Sequence, residues 1–192
     1  MRPPELQVLV DAVGAVEADA RAVMAGLDAP AANWQPDEGR AWSVAQCLDH
    51  LARTNEMYAR SVLDDVRAAA RRDAGRYAPP RPGFFGRKFV ASLEPPVRRR
   101  FKAPTAQVTP APVSALDPGE VLARYLASHA GYYELADLAA TLDPNTTRVW
   151  NPFVRWVPMR VATVLHVIPA HDRRHLWQAR NVLAQPSFPG RA

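Results

Sequence analysis

Four segments of this chain repeat apolar residues every three or four positions, which is the spacing of one face of an α-helix. The segments cover residues 6–27, 43–66, 117–136 and 158–184. Strand-type alternation is limited to a weak signal at residues 147–150. The pattern therefore predicts an all-α protein built on four amphipathic helices.

Two of these segments begin with residues that are typical of helix starts. Ser43 and Gln46 have the spacing of a capping box, in which each side chain bonds the backbone N–H of the other residue. Asp117 precedes Pro118, an acidic N-cap followed by proline at the first helical position. Pro169 lies inside the fourth segment and lacks a backbone N–H, so we expect a kink there.

A long stretch without helical periodicity, residues 72–116, separates the second and third segments and is rich in Pro, Arg and Gly. Connections of this length are uncommon in compact domains and are usually functional or partly disordered. Apolar residues near its middle predict a short docked helix; they include Phe84, Phe85 and Phe89.

A second irregular stretch, residues 143–157, carries several aromatic side chains. We expect it to pack over one end of the helices. The length of the chain suits one domain, so we expect residues 1–192 to form a single unit with a tail at residues 185–192.

The formal net charge of +5 arises in one part of the chain. Residues 71–102 hold ten basic side chains against two acidic ones, a net of +8, which leaves −3 for the rest. The basic residues are Arg71, Arg72, Arg76, Arg81, Arg87, Lys88, Arg98, Arg99, Arg100 and Lys102. With four phenylalanines, Phe101 among them, they could form a nucleic-acid surface by phosphate contacts and stacking. We prefer a solvated loop, and do not expect nucleic acid as a partner.

Composition and the first residues indicate the cellular setting. Every apolar stretch is interrupted before the roughly 18 residues that a membrane span needs. Acidic residues occur where an export signal would be uncharged. Cys47 is the single cysteine, so an internal disulfide framework is excluded. We expect a cytoplasmic protein that does not bind membranes.

Two histidines of the fourth segment, His171 and His175, are four positions apart, so a helix would stack them on one face. The same arc carries Val164 and Ile168, which predicts that the pair faces the interior. Buried imidazoles need partners for their nitrogens, and a shared metal ion would provide one. The spacing alone leaves ordinary hydrogen bonding equally open. His166 points to the opposite side of the helix.

A third ligand would have to come from another segment, and both His50 and His129 are candidates between which periodicity does not choose. For His129 we favour a core histidine bonded to Tyr125 or Tyr133. Three histidines without a fourth protein ligand would leave an open position, which is typical of a reactive site. Cys47, one turn before His50, is a further candidate ligand, although buried free cysteines are common in cores.

At these positions the chain resembles a known family. Residues 42–51, WSVAQCLDHL, resemble the first motif of the DinB/YfiT-like superfamily, in which a tryptophan and a capped helix start precede a metal-binding histidine. Residues 166–178 resemble its last motif, where two histidines four positions apart precede a glutamine. Residues 151–153 and the surroundings of Pro104 fall where members carry similar loops. The resemblance covers residues 5–184.

The resemblance implies an up-down-down-up four-helix bundle with a long crossover between the second and third helices. It also implies one divalent metal ion, usually zinc or nickel. At the matching positions the ligands are His50, His171 and His175, which resolves the choice against His129. Members with known activity are metal-dependent transferases that use low-molecular-weight thiols, or thiol-dependent isomerases.

We therefore expect a metal-dependent transferase or hydrolase that acts on a small, anionic molecule and uses a low-molecular-weight thiol. A three-histidine zinc centre can lower the pKa of bound water to about 7 or bind a thiol as its thiolate. The alternative is a non-enzymatic protein whose basic segment, residues 71–102, contacts nucleic acid or an acidic partner while the metal braces the helices. The sequence leaves open whether the protein forms a homodimer.

The sequence singles out no general base. Asp49, Asp172 and Glu56 are available, and we expect Asp49 and Asp172 to lie at the surface or behind the ligands. Gln178, three positions beyond His175, is a candidate for orienting a ligand or the substrate.

Overall fold

The fold is mostly helical, as predicted. The structure is a computed structural model, which describes residues 2–72, 74–97, 105–154 and 156–190. Helix accounts for 62% of it, and the strands form one two-stranded sheet. The elements in chain order are α1 (Pro4–Met24), α2 (Ala29–Asn33), a 3-10 turn (Asp37–Gly39), α3 (Val44–Arg72), α4 (Phe84–Leu93), α5 (Pro118–Ser128), α6 (Ala130–Ala139), β1 (Arg148–Trp150), β2 (Pro158–Arg160) and α7 (Val161–Leu183).

The long helix α3 lies at the centre of the packing. It contacts α5, α6 and α7, while α1 packs against α7. Leu48, Leu51 and Val66 of α3 are fully buried. Burying such a side chain contributes about 1.5–3 kcal/mol, so the apolar face of α3 holds the helix in place. That face also fixes the direction of the polar side chains beside it.

The start of α3 is the capping box that the sequence predicts. The backbone N–H of Ser43 donates to Gln46 Oε1 at 2.9 Å, and the backbone N–H of Gln46 donates to Ser43 Oγ at 3.0 Å. The same side chains reach the irregular segment after α4: Gln46 Nε2 donates to the carbonyl of Ala111, and the hydroxyls of Ser43 and Ser114 lie 2.7 Å apart. The cap therefore anchors that segment as well as the helix.

The third predicted helix is interrupted, which corrects the prediction of one continuous helix. It begins as expected, with Asp117 accepting from the N–H of Glu120 at 2.8 Å. At His129 the backbone has ψ of −9°, and the N–H of His129 bonds the carbonyl of Leu126 in a tighter turn. Periodicity cannot detect this break, because the apolar spacing continues on both sides of it.

The fourth predicted helix begins at Val161 instead of Pro158. Residues 158–160 pair with residues 148–150 in an antiparallel register that places Val149 opposite Met159, and both side chains are buried. The weak strand signal at residues 147–150 is thus confirmed. Pro169 lies inside the continuous helix α7.

The short helix predicted within residues 72–116 is α4, which packs against α7. Only its last residue, Leu93, is buried, while Phe84, Phe85 and Phe89 are exposed. In residues 143–157 Phe153 contacts Tyr58 edge to face, but the two tryptophans of that stretch are exposed. In the predicted tail Phe188 packs edge-on against Trp34.

The sequence predictions that concern Asp73, Arg98, Arg99, Arg100, Phe101, Lys102 and Pro104 lie outside the described residues. Six basic residues of the segment are described, and all are exposed: Arg71, Arg72, Arg76, Arg81, Arg87 and Lys88. Within the described part of the chain, no helix has the length and apolarity to cross a membrane.

Candidate metal centre

Three histidines from two helices come together in the structure. His50 lies in the second turn of α3, and the cap at Ser43 fixes where that turn begins. His171 and His175 lie one turn apart on α7, with ring centroids 4.6 Å from each other. One nitrogen of each ring lies within 4.8 Å of the other two. His129 is not part of this group.

The Nδ1 atoms of two of these rings are held by oxygen acceptors. His50 Nδ1 donates to the backbone carbonyl of Val108 at 2.5 Å, and His175 Nδ1 donates to Gln178 Oε1 at 3.0 Å. Each bond fixes the orientation of its ring and leaves Nε2 with a free lone pair. The predicted orienting role of Gln178 therefore has a hydrogen bond to support it.

The nitrogen spacing suits a tetrahedral metal ion. The Nε2 atoms of His50 and His171 lie 3.4 Å apart. Two imidazole ligands at the usual zinc–nitrogen distance, separated by a tetrahedral angle, would have nitrogens about 3.3 Å apart. Three neutral imidazoles are also the donor set of many catalytic zinc sites. The residues present thus fit a divalent ion.

The local environment keeps these imidazoles neutral, as metal ligands must be. Burial lowers the pKa of His171 well below its ordinary value, and the neighbouring His50 and Arg174 act in the same direction. Burial likewise lowers the pKa of His175, followed by the charges of the other two histidines and Arg174. Burial lowers the pKa of His50, although its bond to Val108 opposes the shift.

A cavity of about 290 Å³ opens over the three histidines. Its walls are mainly apolar and come from four parts of the chain: Trp42, Tyr58, Phe89, Leu93, Phe153, Val154 and Val167. The polar groups that line it, besides the histidines, are Thr54, Asn151 and Arg174. An apolar pocket with a few convergent polar groups is the usual form of a small-molecule site.

A larger groove of about 980 Å³ lies beside this cavity, and Asn151 lines both. Three of its charged side chains are paired with each other. Arg124 bonds both oxygens of Glu56, and Arg60 lies 3.9 Å from the same carboxylate. We assign the functional site to the smaller cavity because the histidines line it and the groove has no comparable cluster among its described residues.

His129 has a different role, and the structure corrects the predicted partners. It is fully buried, and its Nε2 donates to Asp172 Oδ2 at 2.7 Å, while Nδ1 lies 3.2 Å from Glu17 Oε1. Tyr125 only contacts the ring edge-on, and Tyr133 donates to Glu17 instead. A carboxylate is a better acceptor for a buried imidazole than a phenol, and Glu17 adds a second negative charge beside the ring.

The carboxylates among the base candidates do not line the cavity. Asp172 is fully buried and bonds His129, so of the two positions expected for it the surface is excluded. Asp49 is buried as well, with Arg53 bonded to it at 2.8 Å, and Glu56 pairs with Arg124. All three carboxylates thus form ion pairs outside the cavity.

The remaining candidates lie apart from the cluster. Cys47 is fully buried in an apolar cluster with Leu48 and Leu51, where burial raises the pKa of its thiol, and it does not join the histidine group. His166 lies off the cluster as predicted, with Nδ1 donating to the carbonyl of Ala162 at 2.7 Å.

The sequence reasoning missed two residues that act directly on the histidines. The carbonyl of Val108 carries no sequence signal, because any residue could supply it. Arg174 did carry a sequence signal, because it lies directly before His175 and a helix places it beside the face that carries the histidines.

Comparison with known proteins identifies the family. No curated protein and no solved structure matches the chain. The family model described as the DinB superfamily matches residues 12–179, which include all three histidines and both motifs noted in the sequence. The chain therefore belongs to the DinB superfamily.

Proposed function

We propose that His50, His171 and His175 bind one divalent metal ion, zinc or nickel, and that the protein is a metal-dependent transferase acting on a small molecule. The observation that carries the proposal is the convergence of three neutral imidazoles beneath a mainly apolar cavity. Such an ion acts as a Lewis acid that lowers the pKa of a bound thiol or water.

The residues around the site support its role in binding and orientation. Val108 and Gln178 hold two imidazoles in the tautomer that presents Nε2 to the cavity. Trp42 stacks on His175 with ring centroids 5.7 Å apart and closes one side of the cavity. Apolar walls exclude water, which strengthens every electrostatic interaction inside.

Transfer to or from a low-molecular-weight thiol is favoured over hydrolysis by the positions of the carboxylates. Zinc alone lowers the pKa of bound water only to about 7, and zinc metalloproteases add a carboxylate that takes the proton of the attacking water. Among the described residues that line the cavity, none is acidic. A thiol has an ordinary pKa near 8.5, so it can react as the thiolate without a dedicated carboxylate base.

The helix arrangement is part of the same proposal. We propose that α1, α3, the α5–α6 pair and α7 form an up-down-down-up bundle, with residues 72–116 as the crossover between α3 and α5. The packing of α3 against α5, α6 and α7, and of α1 against α7, supports this arrangement.

The test is turnover by the zinc- and nickel-loaded protein of low-molecular-weight thiols paired with an activated aryl halide or an epoxide. We expect thiol conjugation that falls at least about 100-fold in His171→Ala, because the two remaining histidines would hold the metal ion much more weakly. His166→Ala is the matched control, since His166 lies on the same helix outside the cluster. Unchanged turnover in His171→Ala would refute the proposal.

One observation favours a second candidate, the non-enzymatic binding protein. Helix α4 exposes three phenylalanine rings next to Arg87 and Lys88, and the Lys88 ammonium lies 4.6 Å from the ring centre of Phe84. Stacking and phosphate contacts together would bind single-stranded nucleic acid. In that case affinity falls steeply with salt, while metal removal lowers the melting temperature and no substrate is turned over.

A further inference from the structure

A tyrosine hydroxyl lies at the wall of the cavity without a hydrogen-bond partner. Tyr58 is 3% exposed and lines the cavity, with its ring edge-on to Phe153. Among the described residues, none forms a hydrogen bond with its hydroxyl. Buried hydroxyls are nearly always bonded, so this one has an unused capacity to donate and to accept.

The hydroxyl of Tyr58 also has open space beside it. The buried side-chain atoms that lack both a partner and any open surface include the hydroxyl of Thr54 but not that of Tyr58. An unbonded hydroxyl outside that set keeps contact with a space that a water molecule could enter. Tyr58 lines the cavity over the histidines and a second space of only about 10 Å³, which is no larger than one water molecule needs. A molecule in the larger cavity is therefore the partner within reach.

The amide of Asn151, which also lines the cavity, is used within the protein. Its Oδ1 accepts hydrogen bonds from the backbone N–H groups of Phe153 and Val154. Its Nδ2 donates to Met159 Sδ at 3.2 Å. The amide thus shapes the loop that it belongs to, whereas the hydroxyl of Tyr58 is a donor that the fold does not employ.

The position of Tyr58 separates it from the histidines within one cavity. It lies eight positions after His50 on α3, which is about 12 Å along the helix axis, and both residues line the cavity. Burial raises the pKa of the Tyr58 hydroxyl, so it stays a neutral donor at physiological pH. A fixed donor in an apolar site stabilises negative charge that develops on a reacting oxygen.

We infer that the acceptor substrate is an electrophile that gains negative charge on oxygen, an epoxide or an α,β-unsaturated ketone, and that the Tyr58 hydroxyl donates to that oxygen. This inference rests on the proposed thiol transfer and specifies its acceptor class. With an epoxide, a bond forms between the thiolate sulfur and a ring carbon, and the carbon–oxygen bond breaks. Its electron pair goes to the oxygen, which takes the proton of the Tyr58 hydroxyl. The phenolate then takes from water the proton that the thiol released on ionising.

The first test compares two electrophiles in the zinc-loaded protein, with 2-mercaptoethanol as the thiol. Styrene oxide develops charge on oxygen, whereas benzyl chloride has no oxygen and releases chloride. Tyr58→Phe should lower kcat for styrene oxide about 10- to 100-fold with little change in KM, because the donor acts on charge that develops during the reaction. Turnover of benzyl chloride should change little. Equal losses with both electrophiles, or no loss with styrene oxide, overturn the inference.

The second test needs no turnover. A hydrogen bond lowers the carbonyl stretching frequency of a ketone, so infrared difference spectra of acetophenone bound to the zinc-loaded protein detect the donor. We expect a lower frequency in wild type than in Tyr58→Phe. Tyr132→Phe is the matched control and should give the wild-type band, because the buried Tyr132 hydroxyl donates to the carbonyl of Leu165 outside the cavity wall. Identical bands in wild type and Tyr58→Phe, or no bound ketone, overturn the inference.

Stability separates a contact to the ligand from a structural role of Tyr58. The hydroxyl has no partner in the protein, so Tyr58→Phe should leave the free energy of unfolding unchanged, and a large loss would contradict the inference. Turnover also separates the two proposals. Activity with benzyl chloride but no effect of Tyr58→Phe on styrene oxide refutes this inference alone, whereas no turnover of either electrophile refutes the proposed function as well.

Discussion

The Nε2 atoms of His50 and His171 lie 3.4 Å apart, although 121 positions separate the two residues in the chain. A neutral imidazole carries a proton on one nitrogen, so at this distance one Nε2 can donate to the other, or both can bind one cation through their lone pairs. The lowered pKa of both histidines disfavours a second proton on either ring. Two neutral rings thus lie close enough to share a cation, and the following predictions test the parts of this proposed site.

The Gln178 side chain holds a proposed ligand in place, so its loss should weaken metal binding. Gln178→Leu removes the acceptor of His175 Nδ1, and we expect a 10- to 100-fold lower zinc affinity, as for other residues behind metal ligands. Gln178→Glu keeps an acceptor and should retain most of the affinity. Competition with a chromophoric chelator measures both. Gln185→Leu, on the exposed tail, is the control, and a similar loss there would contradict the role of Gln178.

The buried histidines should make the metal-free protein acid-sensitive. Burial lowers the folded-state pKa of His171 and His175 below the unfolded value near 6.5. The unfolded chain then binds protons first as pH falls below about 6.5, so stability decreases by about 1.4 kcal/mol per pH unit for each such group. Urea unfolding in a chelator measures the slope. His171→Gln should make it shallower; an identical slope would show that His171 does not titrate as described.

His129 should behave in the opposite way. Burial disfavours its charged form, but the bond to Asp172 and the charges of Asp172 and Glu17 outweigh that cost and raise its pKa. Its contribution to stability is therefore complete below about pH 6.5 and is lost as pH rises through the folded-state pKa. Nuclear magnetic resonance titration of the ring should give a pKa above 6.5.

Removing one carboxylate tests the cause of that shift. Glu17→Gln should lower the pKa of His129, because one of its two anionic neighbours becomes neutral. Glu5→Gln is a matched control, since Glu5 also lies on α1 and accepts a hydrogen bond from a tyrosine, Tyr77. A pKa that is the same in Glu17→Gln and wild type would contradict the assigned network.

The close approach of α3 and α6 depends on Gly131. A Cβ at this position would lie 2.4 Å from the Cβ of Ala59, so Gly131→Ala should destabilise the fold by about 1–3 kcal/mol. Gly14→Ala on α1 is the control: nothing lies within 4 Å, and it should stabilise by about 0.5–1 kcal/mol. Urea unfolding of both variants checks the sign of each change. Stabilisation by Gly131→Ala would mean that α3 and α6 pack less closely at this position than the structure shows.

Local features of the site could be predicted from the sequence because their causes lie within a few residues. The capping box at Ser43 and the facing pair His171 and His175 both follow from helical spacing. The choice of His50 over His129 came from the family resemblance, because periodicity places both residues beside apolar faces.

The features that could not be predicted depend on contacts between distant segments. The carbonyl of Val108 reaches His50 across 58 positions, from a segment without periodicity. The pairing of His129 with Asp172 requires α7 to lie against the α5–α6 break, which no local pattern encodes. The start of α7 at Val161 likewise follows from pairing between residues 148–150 and 158–160.

The most direct test of the central claim is the metal content of the purified protein after loading with zinc and dialysis, measured by mass spectrometry. We predict one zinc per chain in wild type and in His166→Ala, and a large loss in His50→Ala, His171→Ala and His175→Ala. Circular dichroism would establish that each variant is folded. Wild-type protein that retains no zinc, or folded variants that retain as much as wild type, would contradict a metal site on these three histidines.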